Sequence, residues 1–583
     1  MRPLFRRALV PVYALLLVLC GLGYARYANY QMDGDAVAFM DIAGGLLHGH
    51  PEMAINGYWN PAYSVVLAAG QELAHSNRFH ELQVSFDVNF FIFVCAICAC
   101  LFFTQGLVVM RRRLDPVRHA LEPYAVHLAG LALMFYSFQS DLSLGAVRSD
   151  SLLLVFFLLA AGLILRIQAG SGLPTYLLLG LMLGLAYLTK SFALVPSAIL
   201  LLGMMIFGLT RRGPAEKSER RKIVTGTVLT GVVFLALAGP YIAAISRQYG
   251  HLTTGESARM NYAFFIDHMA RWHEWHGHAM GHAGGTFVHA EQVLAENPPV
   301  YSYAAHPVGT YPLWFDPAYW AAGLKPHIYL RGQVERWGRC AALLVRYGIN
   351  HPEGILLLLV LLAYGATLPR KWREWMPWVP VMGWGVLMLA IYFMVDLQDR
   401  YLTTSLLLFC VPTLALLRAR DYEPARGMKR HAVVMTASAL VILLAGLSLA
   451  DAARDLGERR RLLSPTGHEG WYNKNIFEAA HALNQLGLGK GMAVACMGDK
   501  ACFLDQYWAR LADTPIRAEI GTPNDVDPQD EWEHIADKTH VTAPLEEHGI
   551  HAIVAIFPDT TQKPTGWVQL GASDFYAYSL TQQ

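Results

Sequence analysis

The chain has 583 residues, 54% of them hydrophobic and only 16% charged, with a formal net charge of +1 and a positive mean hydropathy. Soluble domains carry about one quarter charged residues, so the composition points away from a soluble enzyme and toward a membrane protein. With so little net charge there is no overall field to gather a polyanion, which argues against nucleic-acid binding.

The N-terminal "MRPLFRRALVPVYALLLVLCGLGYARY" sets an apolar run between basic flanks, without a clean small-residue cleavage pattern. It reads as an uncleaved first span rather than a signal peptide. A run of about 20 apolar residues crosses the hydrocarbon core as a helix. Candidate spans follow at 8–28, 86–109, 124–140, 150–166, 173–189, 191–209, 222–245, 353–369, 376–395, 401–418 and 430–450. Cys95, Cys98 and Cys100 lie inside such a run and read as small buried residues, not a metal site.

Arg and Lys cluster at 111–118, 211–222, 370–374 and 418–430. With eleven spans and a cytoplasmic N-terminus, all four clusters fall on the cytoplasmic side, as the positive-inside rule requires. The opposite, extracytoplasmic face then receives a first loop, 29–85, a long loop, 246–352, and the tail 451–583. The expected organisation is a mainly α, polytopic membrane helical bundle over 1–450, followed by an extracytoplasmic α/β domain over 451–583. In that domain "GMAVACMG" and "HAIVAIFP" read as buried strands and "NIFEAAHALNQLGL" as an amphipathic helix ended by Gly. Outside the cytoplasm Cys496 and Cys502 could pair, although strand geometry could equally forbid it.

The same alternation puts Asp33, Asp35, Asp41, Asp141, Arg148, Asp150, Lys190, Asp396, Asp399 and Arg400 on one face. Singly, most have ordinary readings. Asp33 before Gly34 suits a turn, Asp41 and Asp399 suit solvated positions, Arg148 can snorkel and Asp150 can cap a helix. Lys190 is different, because it interrupts "GLMLGLAYLTKSFALVPSAILLL" and needs an anionic partner.

"DAVAFMDIAGGLLHG" fits Asp-x3-aromatic-x3-Ala-x2-Leu-x2-Gly through Asp35, Phe39, Ala43, Leu46 and Gly49. "INGYWNPAYSVVLA", "RSDSLLLVFFLLA", "GLMLGLAYLTKSFALVP" and "QDRYLTTSLLLFCVPTLALL" follow in order. Over roughly residues 8–420 this set resembles the GT-C membrane glycosyltransferases. The nearest branch holds bacterial protein O-mannosyltransferase-like enzymes and the lipid A aminoarabinose transferase. Ala36 stands where a second acid is usual, Phe39 where Tyr is commoner and Ser191 where Gly follows the Lys, while 403–405 lack the usual Leu-Pro.

The resemblance implies a polyprenyl-phosphate sugar donor, a glycan, lipid or protein acceptor outside the cytoplasm of a bacterial-type inner membrane, and inversion at the sugar carbon. It casts Asp35 as base, with Asp33 and Asp150 as further catalytic candidates, and Lys190, Arg400 and Arg148 as holders of the donor phosphate. Tyr58, Trp59, Trp314 and Trp320 are candidates for lining the substrate, and the segment 325–348 reads as an amphipathic helix on the membrane. The family varies in its need for a divalent cation. His273, His276, His278 and His282 are low-weight metal candidates, since no recognised zinc pattern surrounds them.

Two readings of other classes compete. A transporter or flippase for a lipid-linked sugar would hold polar groups near the midplane, often in repeated halves, and no internal repeat is visible. A non-catalytic envelope assembly protein would bind through its tail instead.

Overall fold

Six helices among the described residues are long and apolar enough to cross a membrane: Ala8–Arg26, Glu81–Leu114, Asp150–Gln168, Ser191–Thr210, Lys217–Tyr249 and Met435–Arg461. They come from a computed structural model, which describes the chain apart from residues 1–2, 29, 31, 115–120, 141, 211–216, 271–280, 290, 307, 351–371, 417–426, 463–473, 523–526, 558–564 and 581–583.

Of the eleven expected spans, only six are thus found by length and composition among the described residues. Two more segments fold as shorter apolar helices, Leu173–Thr189 and Val379–Val395. Seventeen residues each, they reach about 26 Å at 1.5 Å per residue, short of a roughly 30 Å core. The segments at 124–140 and 401–418 are helical as Pro123–Ser140 and Asp399–Leu416. Their His127 and Gln139, and their Asp399, Arg400 and Thr403, dilute the hydropathy. The segment 353–369 lies outside the described residues.

In chain order the first helices are α1 (Pro3–Arg26), α2 (Gly34–Leu47), α3 (Pro61–Leu73), α4 (Glu81–Leu114), α5 (Pro123–Ser140), α6 (Asp150–Gln168), α7 (Leu173–Thr189), α8 (Leu194–Thr210), α9 (Lys217–Tyr249) and α10 (Ser257–Phe265). Two contacts show that α4 and α6 run parallel. Asn89 donates from α4 to the carbonyls of Leu144 and Ala146, just before α6 begins. Arg166, near the end of α6, lies over the ring of Phe102. Helices α7 and α9 run parallel and pack at backbone distance, since a Cβ at Gly180 would lie 2.5 Å from the Thr230 carbonyl oxygen.

This packing sorts the charges by end. At one end Arg113 of α4 and Lys222 of α9 donate to the carbonyls of Ala169 and Gly170, just beyond α6. Lys and Arg near a helix C-terminus are favoured by its exposed carbonyls. At the other end lie Asp150 at the start of α6 and Lys190 just after α7.

Beyond the last long helix, Gly427–Leu462, the tail builds an open sheet of seven strands. The strands are β2 (Gln292–Glu296), β3 (Pro299–Ser302), β5 (Val494–Met497), β6 (Ile516–Ile520), β7 (Ala552–Ile556), β8 (Trp567–Gln569) and β9 (Phe575–Ser579); β1 (Gly284–Gly285) and β4 (Leu324–Lys325) form a separate small pair. The order is β2-β3-β6-β5-β7-β9-β8. β5 runs parallel to β6 and β7, and the remaining pairs are antiparallel. Two strands thus come from the long loop, so the sheet of the tail reaches back past residue 451. Cys496 and Cys502 form a disulfide, their Cα atoms 5.3 Å apart.

Candidate active site

A cavity of about 740 Å³ opens between the charged end of the bundle and the first loop. Small-molecule sites commonly enclose roughly 300–1,000 Å³. Its walls carry Asp35, Arg148, Asp150, Lys190 and Arg400 together, with Tyr58, Trp59 and Trp314. Residues spread from position 35 to position 400 meet here because helix starts and ends are where the chain can put charge at little cost to an apolar bundle.

Asp35 sits in the first turn of α2, where the exposed amides favour negative charge. Asp33 is the N-cap of that helix and accepts from the Ala36 amide at 2.9 Å. Its other oxygen takes Arg148 Nη2 at 3.0 Å, so Arg148 does not simply snorkel to solvent.

Lys190 ends α7 and reaches Asp150 Oδ1 at 2.7 Å. Its ammonium also lies 4.1 Å from the ring centre of Tyr401, within cation–π range. Arg400 stands between two carboxylates, 3.8 Å from Asp35 Oδ2 and 3.8 Å from Asp150 Oδ2, and its Nε donates to Gln398 at 2.9 Å. Phe192, Tyr392 and Tyr401 stack in series, with centroids 3.8 and 4.3 Å apart. Asn60 ties the Lys190 turn to the first loop, donating to the Tyr187 carbonyl and accepting from the Ser191 amide.

Asp35 retains 23% side-chain exposure, toward the cavity. Burial pushes its carboxyl up to about 6 and the neighbouring Asp33 adds to that, while Arg400, Arg148 and Lys190 oppose. A carboxyl tuned toward neutrality suits proton transfer.

The aromatic candidates divide. Trp59 donates its indole N–H to the Trp314 carbonyl at 3.1 Å, and Tyr58 donates to Asn261 at 3.1 Å. Trp314 lies so flat on α2 that a Cβ at Gly34 would come within 2.3 Å of its Nε1. Trp320 is not in the cavity wall. It is 2% exposed, with its N–H on the Pro312 carbonyl, and packs against Tyr303 and Tyr319.

His273, His276 and His278 lie outside the described residues, and His282 stacks on Tyr329. Among the described residues no group of three or more His, Cys, Asp or Glu is placed to hold a metal. The cavity acids Asp35 and Asp150 face Arg400 and Lys190 instead, and Asp33 beside them faces Arg148, a donor set that does not fit a divalent cation.

No family model and no curated protein sequence matches the chain. Solved structures do. ArnT from Cupriavidus metallidurans in the apo state aligns over 98% of this chain and 98% of its own, at 13% identity and a TM-score of 0.52. The same ArnT bound to undecaprenyl phosphate aligns over 98% of both chains, at 12% identity and a TM-score of 0.51. The chain shares its overall fold with these structures. At such identity the likeness is one of architecture, which here includes the tail as well as the bundle.

Some residues of this cavity are not singled out by the sequence. Tyr392, Phe192 and Asn60 were hidden in apolar or loop segments, although Asn60 stands inside the quoted "GYWNPAY". Phe503 reaches the cavity from the tail domain, and nothing local in the sequence signals that. Asp41 is a correction. It is 6% exposed, not solvated, and accepts from the Thr310 amide and hydroxyl at 2.7 Å each. Arg510 of the tail meets it at 2.6 Å and holds both oxygens of Glu81 at 2.8 Å. Asp399, by contrast, is exposed as expected for a solvated position.

Proposed function

We propose that the chain is a GT-C membrane glycosyltransferase that moves a sugar from a polyprenyl-phosphate donor to an acceptor hydroxyl outside the cytoplasm. The observation that carries this reading is the meeting of one proton-accepting carboxylate, Asp35, with the fixed cations Lys190 and Arg400 in one cavity. The shared architecture with an ArnT that binds undecaprenyl phosphate supports the donor class. The gathering of basic groups at the opposite end of the bundle supports a cytoplasmic N-terminus and an extracytoplasmic cavity.

In this mechanism the acceptor oxygen attacks the anomeric carbon while its proton passes to Asp35 Oδ. The bond from that carbon to the phosphate oxygen breaks, and its electron pair leaves on the phosphate. Lys190 and Arg400 face the charge that the phosphate gains, as preorganised donors should. Asp150 anchors both cations, which makes it a positioning residue, and Asp33 with Arg148 fixes the start of α2. One base without a second, nucleophilic carboxylate gives inversion at the sugar carbon. The branch of protein O-mannosyltransferase-like and aminoarabinose-transferring enzymes is the finer assignment we favour, on the motif that begins at Asp35.

The test is turnover. The protein in lipid nanodiscs is given polyprenyl-phosphate mannose, glucose and aminopentose with an envelope extract as acceptor, and release of polyprenyl phosphate is followed. Release from one of these donors is the expected result. Movement of the intact lipid-linked sugar between leaflets in proteoliposomes, with no release from any donor, would establish a transporter instead.

A further inference from the structure

Among the described residues, the tail domain contributes one aromatic side chain to the cavity wall. Phe503 lines the cavity and lies 4.9 Å, centroid to centroid, from Trp314. Trp314 in turn rests on Gly34, the residue between Asp33 and Asp35. Phe503 directly follows Cys502, whose disulfide to Cys496 closes a loop from the end of β5 into the turn Lys500–Leu504. Both cysteines are fully buried, while Phe503 keeps part of its ring toward the cavity. The staple fixes where the turn leaves the sheet. The domain itself is clamped to the bundle by Arg510, seven residues on, through Asp41 and Glu81.

We infer that Phe503 is a specificity-determining residue of the site, stacking with Trp314 against the transferred sugar ring beside Asp35, and that the Cys496–Cys502 disulfide holds it there. This rests on the glycosyltransferase reading above. The geometry argues for the sugar over the lipid. Lys190 and Arg400 hold the phosphate where the transmembrane helices end, whereas Phe503 comes from the soluble domain and meets the wall that adjoins the base. A flat aromatic pair presents apolar faces to the C–H side of a pyranose or furanose ring, while its polar hydroxyls stay free for other partners.

The experiment measures equilibrium binding, so it needs no turnover. The full-length protein in nanodiscs is titrated with bare polyprenyl phosphate and with the mannose, glucose and aminopentose adducts of the same lipid. Wild type is expected to bind one adduct more tightly than the bare lipid. Phe503→Ala should weaken that adduct by about three- to tenfold, leave the bare lipid within about twofold, and be rescued by Phe503→Trp. The Cys496→Ala/Cys502→Ala pair should reproduce the Phe503→Ala pattern, with retained bare-lipid binding showing that the bundle is intact. Equal weakening of both ligands, or no effect of Phe503→Ala on the adduct, overturns the inference while leaving the transferase reading in place. Failure of wild type to bind any of these lipids overturns both.

Discussion

The ammonium of Lys190 lies 2.7 Å from Asp150 Oδ1, and Asp150 Oδ2 lies 3.8 Å from Arg400. One carboxylate therefore positions both cations assigned to the donor phosphate. Lys190→Met should lower kcat/KM by about 100-fold or more, the scale of removing one preorganised donor from developing charge. Asp150→Asn keeps both cations but releases their anchor, and a smaller loss of about tenfold is expected. Steady-state kinetics on the two variants checks the order. An Asp150→Asn loss as large as that of Lys190→Met would give the acid a direct role.

The raised carboxyl of Asp35 has a pH signature. A base must be ionised, so kcat/KM should fall as the pH drops through about 6. The stability sign is opposite. Between the ordinary value of 3.8 and about 6 the folded state binds more protons at Asp35 than the unfolded chain, so this group's contribution to stability falls as pH rises through that window. At pH 7.5 Asp35→Asn should therefore unfold at the same temperature as wild type or higher, while losing activity. Thermal scans of both proteins at pH 5 and pH 7.5 measure this.

The Asp41–Arg510–Glu81 cluster predicts a stability defect. Arg510→Met leaves two buried carboxylates without their cation, which costs about 3–5 kcal/mol for a broken buried pair. Arg510 also joins the tail to the first loop and to α4. The variant should show early proteolysis of the region beyond residue 462 under conditions where wild type resists. Unchanged protection would mean that the sheet and its loop strands suffice to hold the domain.

Gly34 is sensitive to a single methyl group. A Cβ there would sit 2.3 Å from Trp314 Nε1, so Gly34→Ala must push the indole off α2. Activity should fall by about tenfold, from misplacement beside the base, with only a small change in melting temperature. A crystal or cryo-EM structure of the variant, or Trp314 emission in a background with other tryptophans replaced, would report the displacement.

Much of this was legible in the chain because membrane insertion penalises charge. Lys190 inside an apolar run had to have an anion, and the alternation of basic loops placed Asp35, Asp150 and Arg400 on its side. What local patterns cannot carry is pairing at long range. Asp41 looked like a solvated acid because its partner is Arg510, 469 positions away, and Trp320 looked like a binding-loop aromatic although it is core. The span count was overestimated because apolar helices that stop at a polar cavity are shorter than a bilayer. The strands β2 and β3 escaped notice since their sheet is completed only by β6, more than 200 residues later.

The central claim is that Asp35 takes the acceptor proton. Release of polyprenyl phosphate should be compared for wild type and Asp35→Asn in nanodiscs, with donor binding measured on the same preparations. The account predicts a loss of about 10²–10⁴-fold in turnover with donor affinity retained within a few-fold. Turnover by Asp35→Asn within tenfold of wild type would contradict it, and the base would then have to be sought elsewhere in the cavity.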